Sequence, residues 1–381
     1  MPTHVEARPM SHEKDAIFAA FKAAATLPPD RWSDEYPGQP VAVFCSYVPE
    51  ELLHAAGFAP VRLRKRPSRS GAWSEHLQSY ACPLARSLLE QGAEGQLAGF
   101  AGAVFAHSCD AMQALADIWR LRFGDTFAWV VNVPTRLDGP HSSAYLVREL
   151  AAMRAALERH IGRPIGDEDI RAGIALCNRV RALLARLDAL RDRMTNAEYY
   201  AAILAAQTMP REAFIPLAES LIPQMEAAPP RRGRARIIVV GAILDDLTVP
   251  ALADDVGLAV VGDDLCTGTR YFEGMARMDA PPLEALAERF LTRTPCAAKH
   301  RDDWRRGQAL RLMAQQRGAR GVVFYLQKFC EPHAFDYADA RRDLEDAGIP
   351  HIVLEDDAGP ATAQWRTRLQ AFAEMLGGTP T

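Results

Sequence analysis

Seven cysteines, at positions 45, 82, 109, 177, 266, 296 and 330, carry the most reactive side chains of this 381-residue sequence. Their settings are not alike. The largely apolar run Gly321-Val-Val-Phe-Tyr-Leu326 reads as a buried strand, and the chain then breaks into Cys330-Glu-Pro-His333. Ala101-Gly-Ala-Val-Phe-Ala-His-Ser-Cys109-Asp110 repeats that arrangement, and Cys45 and Cys266 also follow apolar runs. Cys82 and Cys296 each lie next to a proline at a loop-to-helix junction, and only Cys177, in Ile174-Ala-Leu-Cys-Asn178, has the helix-interior setting of an ordinary buried cysteine. A free cysteine often packs as a small hydrophobe. Cys82, Cys109 and Cys330, however, each precede a helix start, whose N–H groups stabilise a thiolate or an anionic iron–sulfur cluster. The local C-x-x-C spacing of a zinc ribbon or a ferredoxin is absent, so a shared site has to be assembled from distant parts of the chain.

The elements that would position these sulfurs follow an α/β rhythm. Val41–Cys45, Pro60–Arg64, Ala103–Ala106 and Phe127–Val133 read as strands with helical patterns between them. Residues 141–226 are almost wholly helical in pattern, and Pro229-Pro-Arg-Arg-Gly-Arg234 is the best boundary. Strands then resume at Arg236–Gly241, Leu258–Val261, Val322–Leu326 and Pro350–Leu354, with a long helix expected over Asp302–Arg317. Open α/β sheets bind ligands beyond the carboxyl ends of their strands, where Cys45, Cys109, Cys266 and Cys330 fall. The expected architecture is therefore two Rossmann-like or flavodoxin-like parallel-sheet domains plus a helical segment, with the site in the cleft between domains. Its divisions are an N-terminal helical extension (1–40), a first α/β domain (41–140), the helical segment (141–228) and a second α/β domain (229–381).

Bulk properties narrow the function. Apolar residues make up 49 % of the chain, enough for full cores, and the net charge of −4 excludes a broad basic field for nucleic acid. No apolar run approaches the roughly 20 residues that span a bilayer. The first ten residues carry His4, Glu6, Arg8 and two prolines with no apolar stretch after them, so a cytoplasmic protein is expected. In that reducing compartment the cysteines are poor candidates for structural disulfides. Neither a Walker A motif nor G-x-G-x-x-G occurs, which argues against ATP or NAD binding by this chain.

Read together, Cys45-Ser-Tyr-Val-Pro-Glu-Glu51, Ala81-Cys-Pro83, His107-Ser-Cys-Asp110, Asp263-Asp-Leu-Cys266-Thr-Gly-Thr-Arg-Tyr-Phe272 and Lys328-Phe-Cys-Glu-Pro-His333 resemble the 2-hydroxyacyl-CoA dehydratase / benzoyl-CoA reductase family. The matches run in order over about residues 40–355. The resemblance implies an oxygen-sensitive enzyme subunit paired, as a hetero- or homodimer, with a related subunit. It implies a 4Fe–4S cluster held by Cys82, Cys109 and Cys330, and an ATP-hydrolysing iron–sulfur activator that delivers one low-potential electron. In such enzymes the electron forms a radical on an acyl-CoA thioester, which leads either to loss of a 2-hydroxyl group or to reduction of an aromatic ring.

A further branch of the family carries a double-cubane 8Fe–9S cluster on additional cysteines and acts as a reductase of small molecules. Cys45, Cys266 and Cys296 bring the loop and strand-end cysteines to six, a count that suits it. The extra Cys-Pro-Tyr-type motif associated with that branch is not found between Cys82 and Cys109, so the single cluster is the leading expectation. Zinc on Cys82, Cys109 and Cys330 and a cluster-free partner protein are the remaining alternatives.

Other residues have two readings each. Glu50 and Glu51 are candidates for a general base, yet first-turn helix acids are also favoured by the helix dipole. His107 and His333 lie within three residues of the implied ligands, where they would hydrogen-bond sulfur or shuttle protons, or serve structurally. Arg62, Arg64, Lys65 and Arg66 read as a solvated basic face, with CoA phosphates as the alternative partner.

Overall fold

A computed structural model describes residues 10–124, 126–357 and 362–377. The reading of the first residues, 1–9, lies outside the described residues. Two four-stranded sheets, both wholly parallel, form the framework. The first contains β1 (Gln39–Val43), β2 (Phe58–Arg62), β3 (Gly102–Ala106) and β4 (Phe127–Val131) in the order β2-β1-β3-β4. The second contains β5 (Ala235–Gly241), β6 (Leu258–Asp264), β7 (Gly321–Gln327) and β8 (His351–Asp356) in the order β6-β5-β7-β8. The two sheets thus have the same topology. In each, the chain reverses direction across the sheet between the first and third strands, the switch point at which such sheets leave a crevice.

The strands read as nearly continuous apolar runs because both faces are covered. Alternate residues go to opposite sides. Val41, Val43, Val104 and Ala106 pack with Leu146, Leu150 and Ile174, whereas Ala42, Phe44, Ala103 and Phe105 pack with Leu88, Leu115 and Trp119. The second sheet divides in the same way, with Ile237, Val239 and Val323 on one face and Ile238, Val240 and Phe324 on the other. The helices Ser142–Ile161, Asp167–Ala189, Asn196–Ala206 and Arg211–Ala227 lie between the sheets in sequence.

Several expected boundaries shift, and β1, β2 and β4 end at Val43, Arg62 and Val131, each two residues earlier than expected. β6 continues to Asp264, so Asp263 and Asp264 belong to the strand rather than to a loop. The helix expected from Asp302 begins at Arg306, Arg305 being its N-cap. Residues 301–303 form local carboxylate–guanidinium pairs instead: Arg301 donates to Asp303, and Asp302 accepts from Arg136.

Among the described residues, no helix is long and apolar enough to cross a membrane. The carboxyl ends of the two sheets are tied together by side chains that cross between them. Lys299 Nζ donates to Val133 O at 2.7 Å and to His107 O at 3.1 Å. Lys65 beyond β2 reaches Asp356 at the end of β8, and Arg293 donates to Ser46 Oγ at 3.2 Å. Gly241, at the end of β5, admits no side chain, since a Cβ there would stand 2.1 Å from Tyr325 O.

Candidate functional site: a cavity lined by six cysteines

One cavity of about 100 Å³ collects Cys45, Cys82, Cys109, Cys266, Cys296 and Cys330. All six are free thiols. Cys177 is also free but lies apart, buried in the helix Asp167–Ala189.

Local structure accounts for each position. Cys82, Cys109 and Cys330 are the N-cap residues of Pro83–Ala93, Asp110–Arg122 and Glu331–Asp346. Each sulfur therefore stands at a helix start beside unpaired N–H groups, without making a side-chain cap hydrogen bond. The N–H groups of Leu84 and Ala85 favour the Cys82 thiolate, those of Ala111 and Met112 the Cys109 thiolate, and that of His333 the Cys330 thiolate. Burial outweighs these donors in the free protein. It pushes the Cys82 thiol up to about 11 and the Cys330 thiol up to about 12, and raises Cys109 as well.

The remaining three form a second group. Cys45 and Cys266 hydrogen-bond to one another, and Cys296 lies within the electrostatic reach of both. Arg62 Nη2 donates to Cys266 Sγ at 3.2 Å, and Ser46 Oγ lies 3.3 Å from the same sulfur. The bond from Cys45, followed by the Arg62 and Arg270 cations, holds the Cys266 thiol well below the ordinary thiol range despite its burial. Cys45, the donor of that bond, is raised for the same reason, with burial adding to the effect. The two groups adjoin: Cys330 lies within the electrostatic reach of Cys82 and Cys109 and also of Cys296.

The donor set suits an anionic multi-iron group. The described lining contains six thiols and two guanidiniums, from Arg62 and Arg270, and no carboxylate. Arg62 Nε and Arg270 Nη1, both on lining residues, are buried without a protein partner. Orphaned donors of this kind are costly unless something in the cavity accepts from them. A single ion fits less well. Thiolates around one tetrahedral zinc stand only about 4 Å apart, and among the described residues no three ligand-type side chains converge closely enough to hold one metal ion.

Residues 45–376 match the model of the family described as "2-hydroxyglutaryl-CoA dehydratase, D-component". The chain belongs to that family. This D-component family member is 26 % identical to the (R)-phenyllactyl-CoA dehydratase beta subunit of Clostridium sporogenes, over 87 % of the chain and 90 % of that protein. It is 26 % identical to the beta subunit of lactoyl-CoA dehydratase of Anaerotignum propionicum, over 95 % and 99 %. It is 27 % identical to a benzoyl-CoA reductase subunit of Thauera aromatica, over 85 % and 87 %. The enzyme family expected from the sequence motifs is thus the one found, and the two parallel sheets agree with the expected fold.

The other candidates in this family member fall in different places. His333 lines the cavity, and burial, with Arg270 and Arg306 nearby, holds its pKa well below the ordinary value, so the ring is neutral. His107 is not part of the described lining; its carbonyl accepts from Lys299. Glu50 and Glu51 do not line the cavity either. Glu50 accepts from Arg211 Nη2 at 2.8 Å and Tyr271 Oη at 3.0 Å, and Glu51 is fully buried against Arg181. Both carboxylates are engaged by these partners, Arg211 and Arg181 from the helical segment and Tyr271 from the segment after β6.

The basic run is neither a solvated face nor a free phosphate cradle. Arg62 contacts Cys266, Arg64 donates to Ala25 O and Leu204 O, Lys65 pairs with Asp356, and Arg66 donates to Leu27 O. Each of these side chains finds its partner in a neighbouring segment. Sequence reasoning passed over Arg270, Gln327 and Tyr47. Arg270 and Tyr47 had a signal, since they stand four residues beyond Cys266 and two beyond Cys45 in the matched motifs; Gln327 had none.

Proposed function

We propose that this chain is an iron–sulfur reductase subunit whose cavity takes a double-cubane cluster, with Cys82, Cys109 and Cys330 holding one half and Cys45, Cys266 and Cys296 the other. One observation carries the reading: six free thiols from both sheets line a single cavity as two adjoining groups of three. When bound, such a group supplies low-potential electrons to a small molecule. The chain's own residues do the rest. Helix-start N–H groups and the Arg62 and Arg270 guanidiniums offset the negative charge. Phe44, Leu84, Met112 and Ile243 present apolar surface that limits access of water. The neutral His333 ring offers a hydrogen-bonding group on the cavity wall. Electrons come from a separate ATP-driven iron–sulfur protein, and the subunit works in the cytoplasm as a dimer with a second copy or a related chain.

A second reading is favoured by the names of the relatives, which act on acyl-CoA thioesters and are called beta subunits. In it, Cys82, Cys109 and Cys330 hold a single 4Fe–4S cluster, and the chain forms a radical on an acyl-CoA as one subunit of a dehydratase or an aromatic-ring reductase. Iron and acid-labile sulfide in anaerobically purified protein separate the two: about eight iron and nine sulfide per chain on the first reading, about four of each on the second. Substitution sharpens the contrast. Cys82→Ser and Cys266→Ser both lose iron on the first reading, whereas only Cys82→Ser does on the second. Colourless protein without iron overturns both.

A further inference from the structure

A buried acid stands one side chain away from the cysteine cavity. Asp245 follows the end of β5 and is 6 % exposed. Gln327, the last residue of β7, lines the cysteine cavity and donates through Nε2 to Asp245 Oδ2 at 3.4 Å and to Asp356 Oδ2 at 2.9 Å. On its other side Asp245 lines a separate cavity of about 160 Å³ together with Lys65 and the exposed Asp246. Asp245 is thus a carboxyl group placed between the cavity shared with Asp246 and the thiol side of the second sheet's carboxyl edge.

Its surroundings do not fix a charge of one sign. Lys65 donates from its backbone N–H at 2.8 Å, and its Nζ lies 3.9 Å away, but that ammonium makes its shorter contact with Asp356. Asp356 and Asp246 oppose ionisation of Asp245, while Arg64 and Lys65 favour it. Tyr325, whose hydroxyl donates to Asp356, and the Cys82 thiol complete the titratable groups within its field. Arg86 and Lys328 pair with Asp357 rather than with Asp245. Burial, opposed by Lys65, pushes the Asp245 carboxyl up to about 7.

We infer that Asp245 takes up a proton from solvent when the cysteine cavity gains an electron, so that the added charge is compensated within the protein. This inference rests on the reading that the cavity holds an iron–sulfur group. The balance is simple: one electron arrives from an external low-potential reductant, one proton enters from water past Asp246, and the Asp245 carboxylate becomes a carboxylic acid. No bond to the cavity's contents is made. The sign follows from charge. Added negative charge raises the carboxyl pKa, so between the oxidised-state and reduced-state values reduction draws in a proton, and over that range the midpoint potential falls as pH rises.

Anaerobic redox titration with Ti(III) citrate, followed by EPR or visible absorption between pH 6.5 and 9, tests this without any turnover assay. Wild-type protein is expected to show a slope approaching about 59 mV per pH unit over part of that range, the value for a tenfold change in proton concentration per electron. Asp245→Asn is expected to flatten the slope at unchanged iron content, whereas Asp246→Asn, which removes a charge opposing Asp245 ionisation, keeps the slope and moves its onset to lower pH. A flat potential in iron-containing wild type, or a slope that survives in Asp245→Asn, overturns the inference while leaving the iron–sulfur reading intact. Wild-type protein without iron overturns that reading instead. If Asp245→Asn does not fold, the wild-type slope still decides whether a proton is taken up, and Gln327→Leu, which removes the side chain linking Asp245 to Asp356 and to the cavity wall, is expected to weaken it.

Discussion

Arg62, the last residue of β2 in the first sheet, donates to the sulfur of Cys266, which follows β6 in the second sheet, across 204 positions of sequence and 3.2 Å of space. The contact brings one sheet's cation to the other sheet's thiol. In iron-free protein the bond from Cys45, reinforced by the Arg62 and Arg270 cations, depresses the Cys266 pKa and makes it the most nucleophilic sulfur of the cavity near neutral pH. Iodoacetamide at pH 7 is expected to label Cys266 ahead of Cys82 and Cys330, as peptide mass spectrometry would show. Arg62→Met is expected to slow that labelling by about tenfold, the equivalent of one pKa unit. Equal labelling of Cys266 and Cys82 in wild type would contradict the arrangement.

Cys177 serves as the internal control for the sulfurs. Its side chain is 3 % exposed, and burial raises its thiol far above the ordinary range, the setting of an inert core residue. Cys177→Ser should leave iron content unchanged while lowering stability by about 1–3 kcal/mol, because a hydroxyl needs a partner there. Chemical denaturation measures the second quantity. Loss of iron in this variant would break the division of the cysteines into cavity and core.

Glu51 and Arg181 form a buried ion pair between the helix Glu50–Ala55 and the helix Asp167–Ala189. Burial acts to raise the Glu51 pKa, but Arg181, Arg289 and the Arg181 hydrogen bond outweigh it and hold the pKa below the ordinary 4.5. A depressed folded-state pKa contributes stability above the unfolded value, and that stability is lost as pH falls below it. Glu51→Ala is expected to cost about 3–5 kcal/mol at pH 7 by leaving Arg181 unpaired, with much of the loss recovered in Glu51→Ala/Arg181→Met. Urea titrations of the single and double variants decide this. If Glu51 instead acted on substrate, Glu51→Ala would abolish activity with little change in the unfolding midpoint.

Glu90 organises the loop ahead of the Cys82 helix start. Its Oε1 accepts from the backbone N–H groups of Arg69, Ser70 and Gly71 and from the hydroxyls of Ser68 and Ser70. Burial raises its pKa, but the Gly71, Ser70 and Arg69 N–H bonds prevail and lower it to about 2. The associated stability is complete above about 4.5 and declines as pH falls from there toward 2. Glu90→Gln is expected to lose about 2 kcal/mol at pH 7 and to show a flatter acid branch in thermal melts. An acid branch identical to wild type would show that the loop does not depend on this charge.

Phe329 is the one non-glycine residue at positive φ among the described residues, at 61°, and it directly precedes Cys330. The left-handed conformation costs an ordinary side chain about 1–2 kcal/mol. With 43 % of the residue exposed, little packing offsets that cost. Phe329→Gly is therefore expected to raise the unfolding midpoint or leave it unchanged, although the residue adjoins the site. A loss of about 1 kcal/mol or more, the scale of that backbone cost, would show that the ring makes a contact that matters.

The sequence by itself determined the strands, the doubled α/β rhythm, the family words and the placing of cysteines at strand ends and helix starts, because these depend on residues close together in the chain. Cys109 and Cys330 were legible in this way: an apolar run, a break, a sulfur and a helix start. Only tertiary structure decided that Cys45, Cys266 and Cys296 share the cavity of Cys82, Cys109 and Cys330, since that depends on how two sheets meet at their carboxyl edges. It also decided that Glu50 and Glu51 face arginines of the helical segment, and that Arg62, Arg64, Lys65 and Arg66 are held by partners in neighbouring segments. A charged residue in sequence carries no sign of whether its partner is water, a carboxylate two hundred residues away or a sulfur, because electrostatic pairing acts through space, whereas helix and strand patterns act along the chain.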